Sequence, residues 1–113
     1  MTEEEIAFIR GKIVIICEAM LREEIGVIAG SRILNSLGYK LYDGFDGQND
    51  EDFLTFVVID SETDHLPVDF ERKNWSAEVL ERKDKEIAEA EAFYKDDAFA
   101  ACRKLIERFE IKT

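Results

Sequence analysis

The fold of this chain depends on how residues 53–59, FLTFVVI, are folded. A short apolar run that is rich in β-branched residues can form either a buried strand or a buried helix. Phe53, Phe56 and Ile59 recur at helical spacing, which favours a helix. The alternative is a strand that pairs with residues 39–42 in a small β-hairpin. This choice decides between a purely helical domain and a mixed one.

The segment before this run has the composition of an exposed loop. Residues 43–50, DGFDGQND, contain two glycines and several side chains that form hydrogen bonds with the local backbone. Asn49 or Asp50 can cap a helix that begins just after the loop. We therefore expect an acidic loop followed by the third helix of the chain.

The first helix is predicted over residues 3 to about 23. Thr2 followed by Glu5 has the spacing of a capping box. Apolar residues then recur at intervals of three and four, at Ile6, Ile9, Ile13, Ile16 and Met20. Phe8 and Ile15 lie off this stripe, which predicts a central helix that is covered on more than one side.

A second helix is predicted over residues 27–37. Gly26 is expected to end or kink the first helix, and Gly38 is expected in the left-handed conformation after the second. Ser76 is the predicted cap of a long charged helix. That helix either runs to the end of the chain or gives way to a last helix capped by Asp96 or Asp97.

The predicted fold is mainly α, a compact bundle of four or five helices packed around the first and the last, with an acidic loop. The chain has 113 residues, of which 46% are hydrophobic, so we expect residues 1–113 to form a single domain. No apolar run approaches the length of a membrane span, and the acidic N-terminus is unlike a signal peptide. Cys17 and Cys102 fall on apolar helix stripes, as buried free thiols do. These features predict a protein of the reducing cytoplasm that does not bind membranes.

The charge of the chain is concentrated in one segment. The formal net charge is −11, and residues 41–71 contain ten carboxylates but no lysine or arginine. Nucleic-acid binding requires a basic face, so direct binding to nucleic acid is not expected. An uncompensated acidic segment is instead suited to attracting a basic partner, although it can also serve solubility alone.

The candidates for catalytic chemistry are weak. Asp60, Glu62, Asp64 and the single histidine, His65, lie within six residues and could bind a divalent cation. Their spacing matches no established ligand pattern, and the loop fails the pattern of a calcium-binding EF-hand. The sequence also contains no phosphate-binding loop, dinucleotide motif or CxxC motif. We therefore predict a protein that is not an enzyme and has no catalytic residue, metal or cofactor.

The chain resembles a family of short bacterial proteins of unknown function. The resemblance lies in the segment IDSETDHLP over residues 59–67, in residues 53–75 around it, and in residues 82–91 and 101–108. It covers about half of the chain and implies no functional residue. In size, acidity and lack of catalytic motifs the chain also resembles immunity proteins of bacterial toxin systems, including contact-dependent growth inhibition. That resemblance implies a cytoplasmic protein that neutralises a toxin.

The predicted function is that of an immunity protein that binds a basic toxin domain, such as a nuclease, through an acidic surface. Phe45 is the predicted apolar anchor of that surface. The remaining predicted partner-binding residues are all acidic: Asp43, Asp46, Asp50, Glu51, Asp52, Asp60, Glu62 and Asp64. The alternative is a stand-alone bacterial helical domain that acts as a regulator or an oligomeric subunit without a toxin partner.

Overall fold

The computed structural model describes residues 2–41 and 50–110, and for residues 69–71 it describes the backbone alone. These residues form four α-helices, with one 3₁₀ helix at Asp69–Asn74 between the third and the fourth. The helices are α1 (Glu3–Leu21), α2 (Val27–Leu41), α3 (Glu51–Thr63) and α4 (Ala77–Phe109). The predicted α-helical bundle is confirmed.

The alternative β-hairpin of residues 39–42 with 53–59 is wrong. Residues 39–41 are the last residues of α2, and residues 53–59 lie inside α3. Phe53, Phe56 and Ile59 are buried on one side of α3, so the helical spacing of the large side chains decides the conformation. Residue 42 and the predicted loop residues 43–49 lie outside the described residues.

Side chains at the predicted positions cap three of the helices. Thr2 Oγ1 accepts a hydrogen bond from the N–H of Glu5 at 3.1 Å, and the Glu5 carboxylate accepts one from the N–H of Thr2. Asp50 accepts from the N–H of Asp52 at 3.0 Å, and Ser76 from the N–H of Val79 at 3.3 Å. These bonds satisfy amide groups that have no partner within the first helical turn.

The start of α2 has a cap that the local sequence does not reveal. Glu91 of α4 accepts a hydrogen bond from the N–H of Ile28 at 3.2 Å, across the bundle. A Cβ atom on Gly26 would lie 2.5 Å from the Glu91 carboxylate, so the glycine leaves room for this contact. Gly26 neither ends nor kinks the first helix, which finishes at Leu21.

The end of α2 also differs from the prediction. Gly38 lies inside α2 and is buried, because the helix continues to Leu41. A Cβ atom at this position would lie 2.8 Å from the Phe53 ring of α3. The glycine therefore allows α2 and α3 to pack closely, and it has no role as a left-handed helix terminus.

The last helix runs through Asp96 and Asp97 without a break and contains 33 residues. Its second half packs in the core, where Ala98, Ala101, Cys102 and Leu105 are buried. Its first half carries charged residues on its exposed sides and is joined to the 3₁₀ helix by an ion pair between Arg72 and Asp84. This ion pair holds the pKa of Asp84 below its usual value.

The four helices pack in a rhombus. α1 contacts α2 and α4, α3 contacts the same two helices, and α2 meets α4 across the short diagonal. Few described residues of α1 and α3 approach one another, so these two helices occupy opposite corners. The core is formed by side chains from all four helices, among them Ile13, Leu34, Phe56 and Leu105.

Candidate protein-binding surface

The predicted partner-binding residues divide into two groups. Asp43, Phe45 and Asp46 lie outside the described residues. The others belong to α3 or its ends: Asp50, Glu51 and Asp52 at its start, Asp60 and Glu62 in its last turns, and Asp64 just after it.

The carboxylates at the start of α3 are held by the opposite end of the chain. Arg108 Nη1 lies 2.9 Å from Asp50 Oδ1 and 2.8 Å from Asp52 Oδ2. The two aspartate side chains are only 13% and 18% exposed, whereas Glu51 between them faces solvent. Asp50 and Asp52 thus anchor α3 to α4, and Glu51 is free to contact another molecule.

The carboxylate of Asp60 is held by α2. Asn35 Nδ2 donates a hydrogen bond to it at 2.8 Å, and Arg32 Nε lies 3.8 Å away. Arg32 also donates to the carbonyl oxygens of Thr63 and Leu66 at 2.7 and 2.8 Å. A cation that binds the last carbonyl groups of a helix also interacts favourably with the helix dipole. Asp60 and Arg32 therefore fix the end of α3 against α2.

The outward side of α3 carries a different set of residues. Glu51, Leu54, Val58 and Glu62 follow one another at intervals of three and four, opposite the buried Phe53 and Phe56. We call these four residues the α3 face. Leu54 is 39% and Val58 is 44% exposed. The α3 face therefore presents two aliphatic side chains between two exposed carboxylates.

A groove of about 390 Å³ runs beside the α3 face, between α3 and α4. Ala100 and Thr55 are small and keep the groove open, while Tyr94 and Asp97 form part of its α4 side. Asp97 and Glu51 add negative charge along its rim, and Lys104 adds one positive charge. Such a groove is suited to a large apolar side chain with a basic neighbour.

The possible metal ligands are not brought together. Asp60 binds groups of α2, whereas Glu62 and Asp64 are exposed. His65 Nε2 lies 3.6 Å from Glu86 of α4, and its Nδ1 lies 4.0 Å from Asp64. Among the described residues no three side chains of histidine, cysteine, aspartate or glutamate are grouped as metal ligands would be.

The two cysteines are free and buried, as predicted. The neighbouring Cys102 side chain and burial both raise the pKa of the Cys17 thiol far above its usual value. The raised pKa keeps the Cys17 thiol protonated. Because the thiolate is the reactive form, Cys17 behaves as a small apolar residue. The Sγ of Cys102 lies 3.8 Å from the sulfur of Met20. Both cysteines thus contribute to the packing of α1 against α4.

The outward side of α1 contradicts the prediction that this helix is covered on more than one side. Phe8 and Ile15 are each 65% exposed, because α1 lies at a corner of the bundle. The prediction arose because a helix with apolar residues on all sides is usually buried on all sides. The described part of the chain supplies no element to cover that side of α1.

The structure contains no helix, within the described ranges, whose length and apolar character would suffice to cross a membrane. No family model, curated protein or solved structure matches the chain. The two resemblances described from the sequence therefore stay predictions.

Proposed function

We propose that this protein binds and neutralises a basic protein, most specifically as a cytoplasmic immunity protein that blocks a toxin domain such as a nuclease. The observation that carries the proposal is the α3 face, in which exposed Leu54 and Val58 lie between the exposed carboxylates of Glu51 and Glu62. Aliphatic side chains supply affinity in such an interface, and the carboxylates select a basic partner.

The charge of the whole molecule supports the same kind of partner. Arg32 and Arg108 pair with carboxylates of the acidic segment, but ion pairs within the molecule do not alter its formal net charge of −11. The negative electrostatic potential of the molecule accelerates the approach of a basic protein, and this attraction weakens as salt is added. A carboxylate surface can also occupy the phosphate-binding groups of a nuclease.

The first experiment is a pull-down with the tagged full chain, at about 0.1 M and 1 M salt, with captured proteins identified by mass. We expect one basic protein whose recovery falls at high salt. The captured protein is then tested for toxicity in cells, with and without co-expression of this chain. An acidic partner, or binding that salt does not weaken, would contradict the proposal.

The surface is tested by reversing two charges at a time. Glu51→Lys with Glu62→Lys should abolish capture and protection. Glu81→Lys with Glu89→Lys changes the net charge equally on the exposed first half of α4, and should reduce capture only slightly. If both pairs reduce capture equally, the net charge alone matters and the α3 face is not the binding surface.

The contribution of the predicted loop is measured separately. Asp43→Asn with Asp46→Asn tests its charge, and Phe45→Ala tests the predicted apolar anchor. We expect the aspartate pair to slow association and Phe45→Ala to speed dissociation, because long-range charge acts on encounter and buried apolar contacts act on residence.

The second candidate is the stand-alone domain that acts as an oligomeric subunit. The exposed Phe8 and Ile15 of α1 favour it, since a solvated helix face of this kind is often a protein interface. Failure to capture any basic protein from the strain of origin would leave this candidate as the better one.

A further inference from the structure

The outward side of α1 carries an ordered series of residues. At about 100° per residue, Glu4, Phe8, Gly11, Ile15, Ala19 and Arg22 fall on one side of the helix axis. They lie opposite Ile13, Cys17 and Met20, which are fully buried. We call these six residues the α1 face. From the start of the helix to its end, they are an acid, a large apolar residue, a small residue, a second large apolar residue, a second small residue and a base.

Gly11 is the least expected member of this series. Glycine in the middle of a helix lowers its stability relative to alanine. No atom lies within 4 Å of the position that a Cβ atom would take on Gly11, so nothing in the described chain requires a glycine there. Gly26 and Gly38, by contrast, each make room for a named side chain. A second helix that packs directly on α1 would use the space above Gly11.

We propose that the α1 face binds the α1 face of a second copy of this chain, with the two helices antiparallel. A two-fold axis at the level of residue 13 places Ile15 over the second copy's Gly11 and Phe8 within one residue of the level of its Ala19. The same arrangement sets Glu4 beside the second copy's Arg22. Each large side chain then meets a small one, and each acid meets a base.

The surroundings of α1 leave this side of the helix accessible. A groove of about 680 Å³ separates the first half of α1 from the end of α4, and one of about 570 Å³ separates it from the end of α2. The Lys12 side chain extends over the Phe8 ring, with its Nζ 4.9 Å from the ring centroid, so part of the Phe8 ring is covered by Lys12 within one chain. Within one chain Arg22 pairs with Glu24 at 2.6 Å and with Glu18 at 3.8 Å. It remains 60% exposed and can also reach Glu4 of the second copy.

The α3 face does not have this self-complementary order. In an antiparallel pair of α3 helices, Glu51 would oppose the second copy's Glu62, and the like charges would repel. The charges of the two faces therefore assign a second copy to α1 and a basic partner to α3. Since α1 and α3 occupy opposite corners, a dimer formed by α1 leaves both α3 faces free.

The size of the α1 face sets the strength of the dimer. A helix of 19 residues is about 28 Å long and about 10 Å wide, which gives a footprint of roughly 300 Å². A standard interface buries about 800 Å² on each partner. We therefore expect a weak, reversible dimer, with a dissociation constant between about 10 µM and 1 mM.

The test is sedimentation equilibrium of the full chain from about 5 µM to 1 mM, a range that spans this affinity. The wild type should pass from monomer to dimer. Ile15→Glu should weaken the dimer by about 100-fold or more, because each dimer loses two apolar contacts. Val58→Glu, which places the same change on the α3 face, should leave the dimer unchanged. Circular dichroism checks that both variants keep their helix content.

Exchanging the charges tests the register. Glu4→Arg should weaken the dimer about 3-fold to 10-fold, and adding Arg22→Glu to it should restore most of the loss. Mixing Gly11→Cys with Ile15→Cys should give a disulfide-linked dimer of the two variants under mild oxidation, whereas the wild type, with buried cysteines, should give none.

Three results would overturn the proposal. The first is a wild-type chain that stays monomeric up to about 1 mM, which is beyond the affinity expected for this area. The second is a dimer that Ile15→Glu leaves intact. The third is faster oxidative linkage of Ile15→Cys with itself than with Gly11→Cys, which indicates parallel helices. None of these results bears on binding of a basic partner, whose loss follows changes on the α3 face.

Discussion

The two corner helices, α1 and α3, both expose apolar side chains, α1 to a greater degree than α3, and the charged residues around them differ. The α1 face has an acid at one end and a base at the other, whereas the α3 face has acids at both ends. Both faces lie opposite buried core residues on their own helix. One side of each helix thus stabilises the fold, and the charges on the other side determine which kind of partner it can accept.

The largest expected effect separates the two sides of α1. Ile13→Ala should lower the free energy of unfolding by about 2–5 kcal/mol, because Ile13 is fully buried and its removal leaves a cavity. Ile15→Ala, two residues away and 65% exposed, should change it by no more than about 0.5 kcal/mol. Urea denaturation at a low protein concentration, where the chain is monomeric, measures both. Equal losses would show that Ile15 is part of the core.

A smaller effect is expected where α3 is anchored to α4. Arg108→Met removes the cation that lies within 3.0 Å of Asp50 and Asp52 and leaves two carboxylates close together. We expect a loss of about 1–3 kcal/mol in the free energy of unfolding. The control is Arg103→Met, which removes an exposed arginine of the same helix and should cost about 0.5 kcal/mol or less.

The variant Arg108→Met also distinguishes the α1 face from the α3 face. Without Arg108, the start of the α3 face becomes more negative, while the α1 face is unchanged. We therefore expect Arg108→Met to bind a basic partner faster at low salt and to form the same dimer. A slower association would indicate that Arg108 itself contacts the partner.

The cap between α4 and the start of α2 should depend on pH. Burial raises the pKa of Glu91, and the N–H groups of Val27 and Ile28 lower it to a smaller extent. Because the folded pKa lies above the unfolded one, the contribution of Glu91 to stability is complete below its ordinary pKa and is lost as the pH rises through the folded pKa.

The stability of the wild type relative to Glu91→Gln should therefore decrease as the pH is raised above the ordinary pKa of glutamate. We expect a change of no more than about 1 kcal/mol, since Glu91 is only partly buried. Paired urea denaturation curves at several pH values measure the difference and cancel the titration of all other groups. A relative stability that increases with pH would show that hydrogen bonds to the carboxylate outweigh its burial.

An effect of opposite sign, a gain in stability, is expected on the buried side of α2, at Ser31. Its Oγ is the single buried side-chain oxygen or nitrogen, among the described residues, without a hydrogen-bond partner. Ser31→Ala removes this unsatisfied group and favours the helix, so it should raise the free energy of unfolding by about 0.5–1.5 kcal/mol. A loss of more than about 1 kcal/mol in thermal or urea denaturation would mean that the hydroxyl binds a buried water.

Local signals in the sequence predicted much of the fold. The capping box of Thr2 and Glu5, the caps at Asp50 and Ser76, and the spacing of Phe53, Phe56 and Ile59 each act within a few residues and could be read directly. Contacts between distant residues could not. Gly26 and Gly38 were interpreted as helix ends, although each makes room for a side chain of another helix.

The candidate site could be predicted only in part, because it too depends on contacts between residues that are distant in the sequence. The acidic segment is evident from the sequence, but which of its carboxylates are bound within the molecule depends on Arg32, Asn35 and Arg108, which lie on other helices. The apolar residues on both sides of α1 predicted cover on both sides, and this prediction is wrong for the described residues, where Phe8 and Ile15 are each 65% exposed. The sequence pattern could not show which side of α1 the other helices cover.

The measurement that most directly tests the difference between the two faces is nuclear magnetic resonance of the backbone amides of the full chain. One titration raises the protein concentration from about 20 µM to 1 mM, and a second adds a short peptide of lysine and leucine to dilute protein. Raising the concentration should shift the resonances of Phe8, Gly11, Ile15 and Ala19, whereas the peptide should shift those of Glu51, Leu54, Val58 and Glu62. Binding of the peptide to the α1 face would contradict the assignment of the two faces, as would a concentration that moved the α3 resonances and left those of α1 in place.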